Sequence, residues 1–261
     1  MATLRELTVD IWYCNSALLE SDAVENAGRH LSREEINRGD RFRLNADRRD
    51  FTVAHDLLRR ALSSYTDLSP SDWRFAIDAR GKPTIDNAGP KLTGLSFSLS
   101  HTQGFVACAV TKKALIGIDV ERIDQTLPAQ DIADRYFSEG EAQQLRDCSN
   151  DLRAIRFTEM WTLKEAFLKA VGVGHFRSPT DVSFRFNEHR NIEFFAQAIT
   201  DLPEWQFALF EPLSYVRMAI ALAGSSSPRF FLHPYDGCVF DSFLVTPNKQ
   251  STRSTNQGSA L

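Results

Sequence analysis

The chain has 261 residues, of which 43% are hydrophobic and 25% charged, and its 30 Lys and Arg against 34 Asp and Glu give a formal net charge of −4. These values belong to a globular chain and exclude disorder over the whole length. They also argue against a nucleic-acid protein held by bulk positive charge. At about 150 residues per domain, the length allows one to two domains. Cys14, Cys108, Cys148 and Cys238 form no C-x-x-C pair, which speaks against a disulfide framework or structural zinc and for a reduced, cytosolic compartment. The start, Met1 to Glu6, lacks a signal-peptide layout, and no apolar run approaches the roughly 18 residues of a membrane span.

In chain order, Leu7 to Tyr13 alternates apolar and polar residues and predicts a strand. Leu31 to Arg60 reads as helical, opened by the S-x-x-E capping box of Ser32 and Glu35. Ser69 to Asp72 is a turn or a new cap, Trp73 to Ile77 a short strand, and Asp78 to Pro83 a Gly- and Pro-marked loop. Leu95, Phe97 and Leu99 alternate with Ser96, Ser98 and Ser100, a half-buried strand with a serine face. After a turn at His101–Gly104, Phe105 to Val110 and Leu115 to Ile123 complete an expected antiparallel meander. Ser138 to Cys148 is a helix with a second capping box, Ser138 and Glu141. Leu152 to Val171 is a longer helix that stops at Gly172. Strands follow around Phe184, Ile192–Phe195, Trp205–Phe210 and Tyr215–Leu222. The polar tail from 246 to 261 is expected to be disordered. Hairpins with helices between them make the class α+β. The expected division is 1–112, 113–245 and the tail 246–261.

Three constellations carry chemistry. In Gly117-Ile118-Asp119-Val120-Glu121 the carboxylates are two residues apart and share a strand face. Adjacent carboxylates suit a hard divalent cation, although a solvated strand face explains the same pattern. In Trp161 to Lys169, Glu165 and Lys169 share a helix face with Thr158 and Thr162, while Lys164 falls inside the apolar arc of Phe157, Met160, Phe167, Leu168 and Val171. A carboxylate and two ammonium groups can line a phosphate site, and a plain surface ion pair worth about 0.3–0.5 kcal/mol is the alternative. Ser100 and His101, at a strand-to-turn junction, can donate to a phosphate or simply serve the turn. Arg38, His55 and Lys82 are anion-contact candidates or surface residues. Neither G-x-S-x-G around Ser100 nor HExxH is present, so a serine hydrolase or zinc protease is poorly supported. Together these pieces equip phosphoryl chemistry.

Taken in order, Gly81-Lys82-Pro83, Phe97 to His101, Gly117 to Glu121, Phe137 with Glu141, and Trp161 to Lys169 with Gly172 resemble the motifs of the surfactin-type 4′-phosphopantetheinyl transferases. The resemblance implies two similar halves, a pseudo-dimer of small antiparallel sheets packed with helices, with coenzyme A bound in the cleft between them. It implies a monomeric enzyme, which the composition, cysteines and lack of a membrane span place in the cytoplasm with no nucleic-acid or membrane partner. Such an enzyme moves the phosphopantetheine arm of coenzyme A onto a serine of an apo acyl, peptidyl or polyketide carrier protein and releases 3′,5′-ADP. Carried over by position, Asp119, Glu121 and Glu165 resemble the Mg²⁺ ligands (Mn²⁺ being the alternative metal). Gly81, Lys82 and Pro83 resemble the adenine-side loop, Ser100 and His101 the phosphate contacts, and Arg38 a 3′-phosphate contact. Lys164 and Lys169 resemble residues flanking the pyrophosphate. Glu165 is the implied general base and Lys169 the group that stabilises the leaving ADP. Two other classes remain: a metal-dependent hydrolase of the coenzyme A pyrophosphate, and a non-catalytic carrier- or nucleotide-binding module.

Overall fold

The chain divides into two units, one made of Met1–Ala114 with Ser226–Thr246, the other of Leu115–Ser225 with Pro247–Leu261. The computed structural model describes residues 7–79, 81–87, 94–172, 179–187, 191–196, 203–225, 227–235, 243–245 and 249–250.

The first unit is a five-stranded sheet in the order β12-β11-β1-β5-β4. Its strands are β1 (Thr8–Cys14), β4 (Leu95–Thr102), β5 (Phe105–Lys112), β11 (Arg229–Pro234) and β12 (Phe243–Val245). Only β1 and β11 run parallel; the other pairs are antiparallel. Three helices accompany it: α1 (Ser21–Gly28), α2 (Arg33–Gly39) and α3 (Asn45–Ser63). A small hairpin of β2 (Phe75–Ile77) and β3 (Pro83–Ile85) completes the unit. α3 lays Val53, Ala54, Leu57, Leu58, Ala61 and Leu62 against Trp12, Val106, Cys108 and Val110 of the sheet, with Trp73 beside them. Each of the Val and Leu side chains, fully buried, contributes about 1.5–3 kcal/mol.

Two expectations change here. The single helix over 31–60 is two helices. α2 stops at Gly39, where a Cβ would meet the Phe51 ring at 3.4 Å, and the chain turns so that Phe42 packs on Phe51 with ring centroids 5.4 Å apart. Residues 229–234 and 243–245, expected in the second half, belong to the first sheet. The reason is burial: Phe230 and Leu232 are buried there, and His233 stacks on Trp12 at 4.0 Å while its Nε2 lies 2.8 Å from Asp10 Oδ1.

The second unit has a four-stranded antiparallel sheet, β13-β9-β10-β6. Its strands are β6 (Ile116–Arg122), β9 (Trp205–Leu213), β10 (Val216–Ala223) and β13 (Lys249–Gln250). A hairpin of β7 (Val182–Phe186) and β8 (Ile192–Ala196) and the helices α4 (Ala129–Tyr136), α5 (Glu139–Arg146) and α6 (Asn150–Val171) surround it. β6 is therefore not the third strand of a meander. It pairs with β10, which matches Ile116, Ile118 and Val120 with Leu222, Ile220 and Met218 on one face. On the other face Gly117 and Asp119 stand opposite Ala221 and Ala219. That second face is small enough to admit a helix. Of the tail, Lys249 and Gln250 pair with Leu209 and Ala208 rather than being free chain; residues 251–261 lie outside the described residues.

α6 is buried on more than one side. Thr158 and Thr162, expected on an open polar face, are 4% and 0% exposed. Their hydroxyls donate to carbonyls one turn back, Ala154 at 2.8 Å and Thr158 at 2.5 Å. Among the described residues, no helix is long and apolar enough to cross a membrane.

Candidate active site

Gly117 places the helix on the strand. A Cβ there would lie 1.9 Å from the Ala166 carbonyl oxygen and 2.6 Å from the Ala170 nitrogen. Only glycine lets the α6 backbone come this close. Gly117, Asp119 and Glu121 alternate along β6 onto this same face. Ala166 and Ala170 sit over Gly117, and the residues preceding each of them, Glu165 and Lys169, are thereby delivered to the two carboxylates of β6. Lys169 Nζ donates to Asp119 Oδ1 at 2.7 Å, with Asp119 only 3% exposed.

The electrostatics of this group are lopsided: three carboxylates face one ammonium. Burial, and then the charges of Asp119 and Glu165, push the Glu121 carboxyl up to about 7, against the opposing pull of Lys169 and a hydrogen bond with Trp161. Burial and the Asp119 charge likewise raise Glu165, with Lys169 again opposing. Each carboxylate makes the next one harder to ionise, a condition that a cation between them relieves. Among the described residues, no three His, Cys, Asp or Glu side chains are gathered tightly enough to enclose an ion as they stand, and Lys169 neutralises Asp119. The donor chemistry fits a hard divalent cation all the same: three oxygen-only ligands whose charges disfavour one another.

Lys164 does not join this group. It is 2% exposed, and its Nζ lies 2.9 Å from Glu141 Oε2, donates to the Val182 carbonyl and stands 5.3 Å from the centroid of the Phe137 ring. The expected pyrophosphate contact is thus a buried strut between α6, α5 and β7. Glu141 is more than a cap: besides Ser138 N–H at 2.8 Å it accepts Phe184 N–H at 2.9 Å. Lysine inside an apolar arc was the signal that a buried carboxylate partner had to exist. Arg217, directly opposite Glu121 on β10, is turned to Glu211 at 3.4 Å and Glu159 at 3.9 Å; nothing in the motifs pointed to it.

The remaining candidates lie in the first unit. His101 is exposed and stands opposite Val106, on the sheet face that carries α3. Ser100, one residue earlier, points to the opposite face and is 5% exposed. The two side chains, expected to act side by side, are therefore separated by the sheet. Gly81 and Lys82 lie in the turn between β2 and β3, with Pro83 the first residue of β3; Gly81 N–H donates to the Asp78 carbonyl at 3.0 Å and Lys82 N–H to Asp78 Oδ1 at 2.8 Å. Arg38 is exposed, its guanidinium 5.5 Å from the Phe51 ring centroid. His55 Nδ1 is 2.8 Å from Glu35 Oε1, a partner that explains it structurally.

A family model described as the 4′-phosphopantetheinyl transferase superfamily matches residues 115–223, which include every residue of the carboxylate group. A second, described as 4′-phosphopantetheinyl transferase, N-terminal, matches residues 20–113. The 4′-phosphopantetheinyl transferase HetI of Nostoc sp. is 30% identical over 231 residues, 88% of this chain and 94% of that protein. This chain belongs to the 4′-phosphopantetheinyl transferase superfamily. The 4′-phosphopantetheinyl transferase Sfp of Bacillus subtilis is 32% identical over 175 residues, 67% of this chain and 72% of its own. As a member of a transferase superfamily the chain is an enzyme, and its motif residues on β6 and α6 fall inside the matched region.

Proposed function

We propose that this enzyme transfers the phosphopantetheine arm of coenzyme A to a serine hydroxyl of an apo carrier protein and releases 3′,5′-ADP, with Mg²⁺ required. The observation that carries this reading is the convergence of Asp119, Glu121, Glu165 and Lys169 across one strand–helix contact, in a chain of this superfamily. Asp119, Glu121 and Glu165 would hold the ion. When bound, it supplies charge neutralisation for the pyrophosphate. Glu165 takes the serine proton. It does so directly or through a water, since holding the ion lowers its pKa and weakens it as a direct base. Lys169, its side chain one-third exposed, can leave Asp119 to meet the negative charge that builds on departing 3′,5′-ADP. From the first unit, the exposed His101 imidazole and the Arg38 guanidinium contact coenzyme A phosphates, and the Gly81–Pro83 turn meets the adenine. Lys164 takes no part in these steps. The free thiols of Cys14, Cys108 and Cys148 fit a reducing, cytoplasmic compartment, and the enzyme acts as a monomer.

The test is intact-mass spectrometry of an apo carrier protein incubated with the enzyme, coenzyme A and Mg²⁺, with EDTA and Glu165→Ala as controls. A gain of one phosphopantetheine arm, lost in both controls, supports the reading. Coenzyme A consumed with no mass gain on acyl, peptidyl or polyketide carriers replaces it with a pyrophosphate hydrolase. Intact coenzyme A and unmodified carriers leave a binding module.

A further inference from the structure

Asp50 is a carboxylate on the buried face of α3, 1% exposed among Phe51, Val53 and Ala54. Such burial is unfavourable unless the oxygens are hydrogen-bonded. Both are, and neither partner belongs to α3. Oδ1 accepts the Ser16 hydroxyl at 2.6 Å, and Oδ2 accepts the Gly104 N–H at 2.8 Å. Arg49 Nε lies 3.6 Å from Oδ1.

Gly104 is the second residue of the two-residue turn that joins β4 to β5, where Thr102 pairs with Phe105. Its φ is +78°, and Gln103 is not among the residues of positive φ. Two-residue hairpin turns favour the mirror-image types, in which the first residue has positive φ, because their twist matches the strands. This turn is not of that kind and is held from outside instead. Asp50 holds the N–H of Gly104, and the Ala17 N–H holds its carbonyl at 3.3 Å. A Cβ on Gly104 would meet the Ala17 Cβ at 3.0 Å, so the turn is seated directly on the short 3₁₀ segment Ser16–Leu18.

His101 lies three residues before Gly104, on the α3 side of the sheet. We propose that Asp50 is a positioning residue of the coenzyme A site: by holding the Gly104 N–H it sets where the β4–β5 turn, and with it the His101 imidazole, stands relative to α3. This rests on the reading that His101 contacts the coenzyme A phosphates. Asp50 touches no substrate itself. It acts on coenzyme A binding and leaves the carboxylate group on β6 and α6 untouched.

The test compares Asp50→Ala, Asp50→Asn, Ser16→Ala and His101→Ala in the full chain. It uses KM for coenzyme A, KM for carrier, kcat at saturating coenzyme A, and calorimetric coenzyme A binding. Asp50→Ala is expected to raise the coenzyme A KM and Kd roughly tenfold, as a misplaced contact does. In the Asp50 and Ser16 variants kcat and carrier KM stay within about twofold. Asp50→Asn keeps an acceptor for Gly104 N–H and restores most of the affinity. If Asp50→Ala does not fold, Ser16→Ala, which removes only the hydroxyl that orients the carboxylate, is expected to show a smaller loss of the same kind. Unchanged coenzyme A binding in the Asp50 and Ser16 variants, alongside a loss in His101→Ala, overturns the proposal alone. Losses in kcat and both KM values that track the melting temperature reduce Asp50 to a structural residue. Unchanged binding in His101→Ala removes the parent reading, and the proposal with it.

Discussion

On α3 of the first unit, three buried charged residues are matched. Asp50 has Ser16 and Gly104. Asp56 has His30 at 2.6 Å, Arg60 at 2.9 Å and Tyr235 at 3.2 Å. Arg59 has Glu35 at 2.6 Å and the carbonyls of Pro70 and Trp73 at 3.0 Å. On α6 of the second unit, Lys164 is matched in the same way by Glu141, but beside it Glu165 and Lys169 join Asp119 and Glu121 in a group with two carboxylates in excess. The charges of α3 stitch segments together, whereas the carboxylates of Asp119, Glu121 and Glu165 repel one another with only Lys169 to offset them. A helix that buries balanced charge is using it to build. Where the balance fails, beside a glycine that lets two backbones meet, the excess charge is what the proposed ion would offset.

The comparison breaks most sharply at Glu165. Glu165→Gln is expected to cut turnover by about 10²–10⁴-fold, the range for loss of a general base, while leaving the melting temperature unchanged or slightly higher, since one of three repelling charges is gone. Asp119→Asn should lose turnover too, but its pairing with Lys169 at 2.7 Å gives it a stability cost of its own, so the melting temperature is read at Glu165 alone. A melting loss of the size seen for a matched ion pair would show that the group is structural. Asp56→Ala tests the other side: removing one partner of a fully buried, matched set costs about 3–5 kcal/mol. Urea unfolding should show that loss, with kcat of the folded protein retained. If kcat falls while stability holds, the charges of α3 are not merely structural. Gly117→Ala joins the two cases. Its methyl cannot fit 1.9 Å from a backbone oxygen, so α6 must lift from β6. Both stability, by about 3 kcal/mol at the upper end of ordinary overpacking, and turnover should fall together. A variant with either one intact would disprove the role given to this contact.

Much of the local structure was legible. Both capping boxes, Ser32 with Glu35 and Ser138 with Glu141, are formed, and α6 ends at Gly172, because caps and stops are decided within a few residues. The strand and helix motifs were legible as chemistry, since spacing alone puts Asp119 and Glu121 on one face and Glu165 and Lys169 on another. What brings those faces together was not. Gly117 works only against Ala166 and Ala170, some fifty residues on, and β6 finds its partner in β10 rather than in its sequence neighbour. Lys164 looked like a phosphate ligand because its partner Glu141 was already explained by a cap. β11 pairs with β1 from the far end of the chain, and no local pattern announces a parallel pairing of that span. The break of the 31–60 helix was a local miss with a signal, Gly39, whereas α1 (Ser21–Gly28) and α4 (Ala129–Tyr136) were not expected at all.

The smallest effect concerns pH, and it separates matched from unmatched charge without touching the active group. Burial alone would raise the Glu35 carboxyl. The hydrogen bonds from His55 and the Ser32 backbone, with the charges of His55 and Arg59, overcome this and hold it at about 2, below its ordinary 4.5. A carboxyl depressed on folding contributes stability that is present above its unfolded value and is lost as pH falls toward its folded one. The first unit should therefore lose stability between pH 4.5 and 2 in a step that Glu35→Gln removes. Solvent reaches this side chain, 13% exposed, so the step stays below the roughly 3 kcal/mol that the full shift corresponds to. Urea titrations at several pH values from 5 downward, followed by the fluorescence of Trp12 and Trp73 in the first unit, should show the wild type and the variant converging as the pH falls. Parallel curves would mean that Glu35 is no more stabilised in the fold than in the open chain, and that matching on the first unit's helices is weaker than its geometry implies.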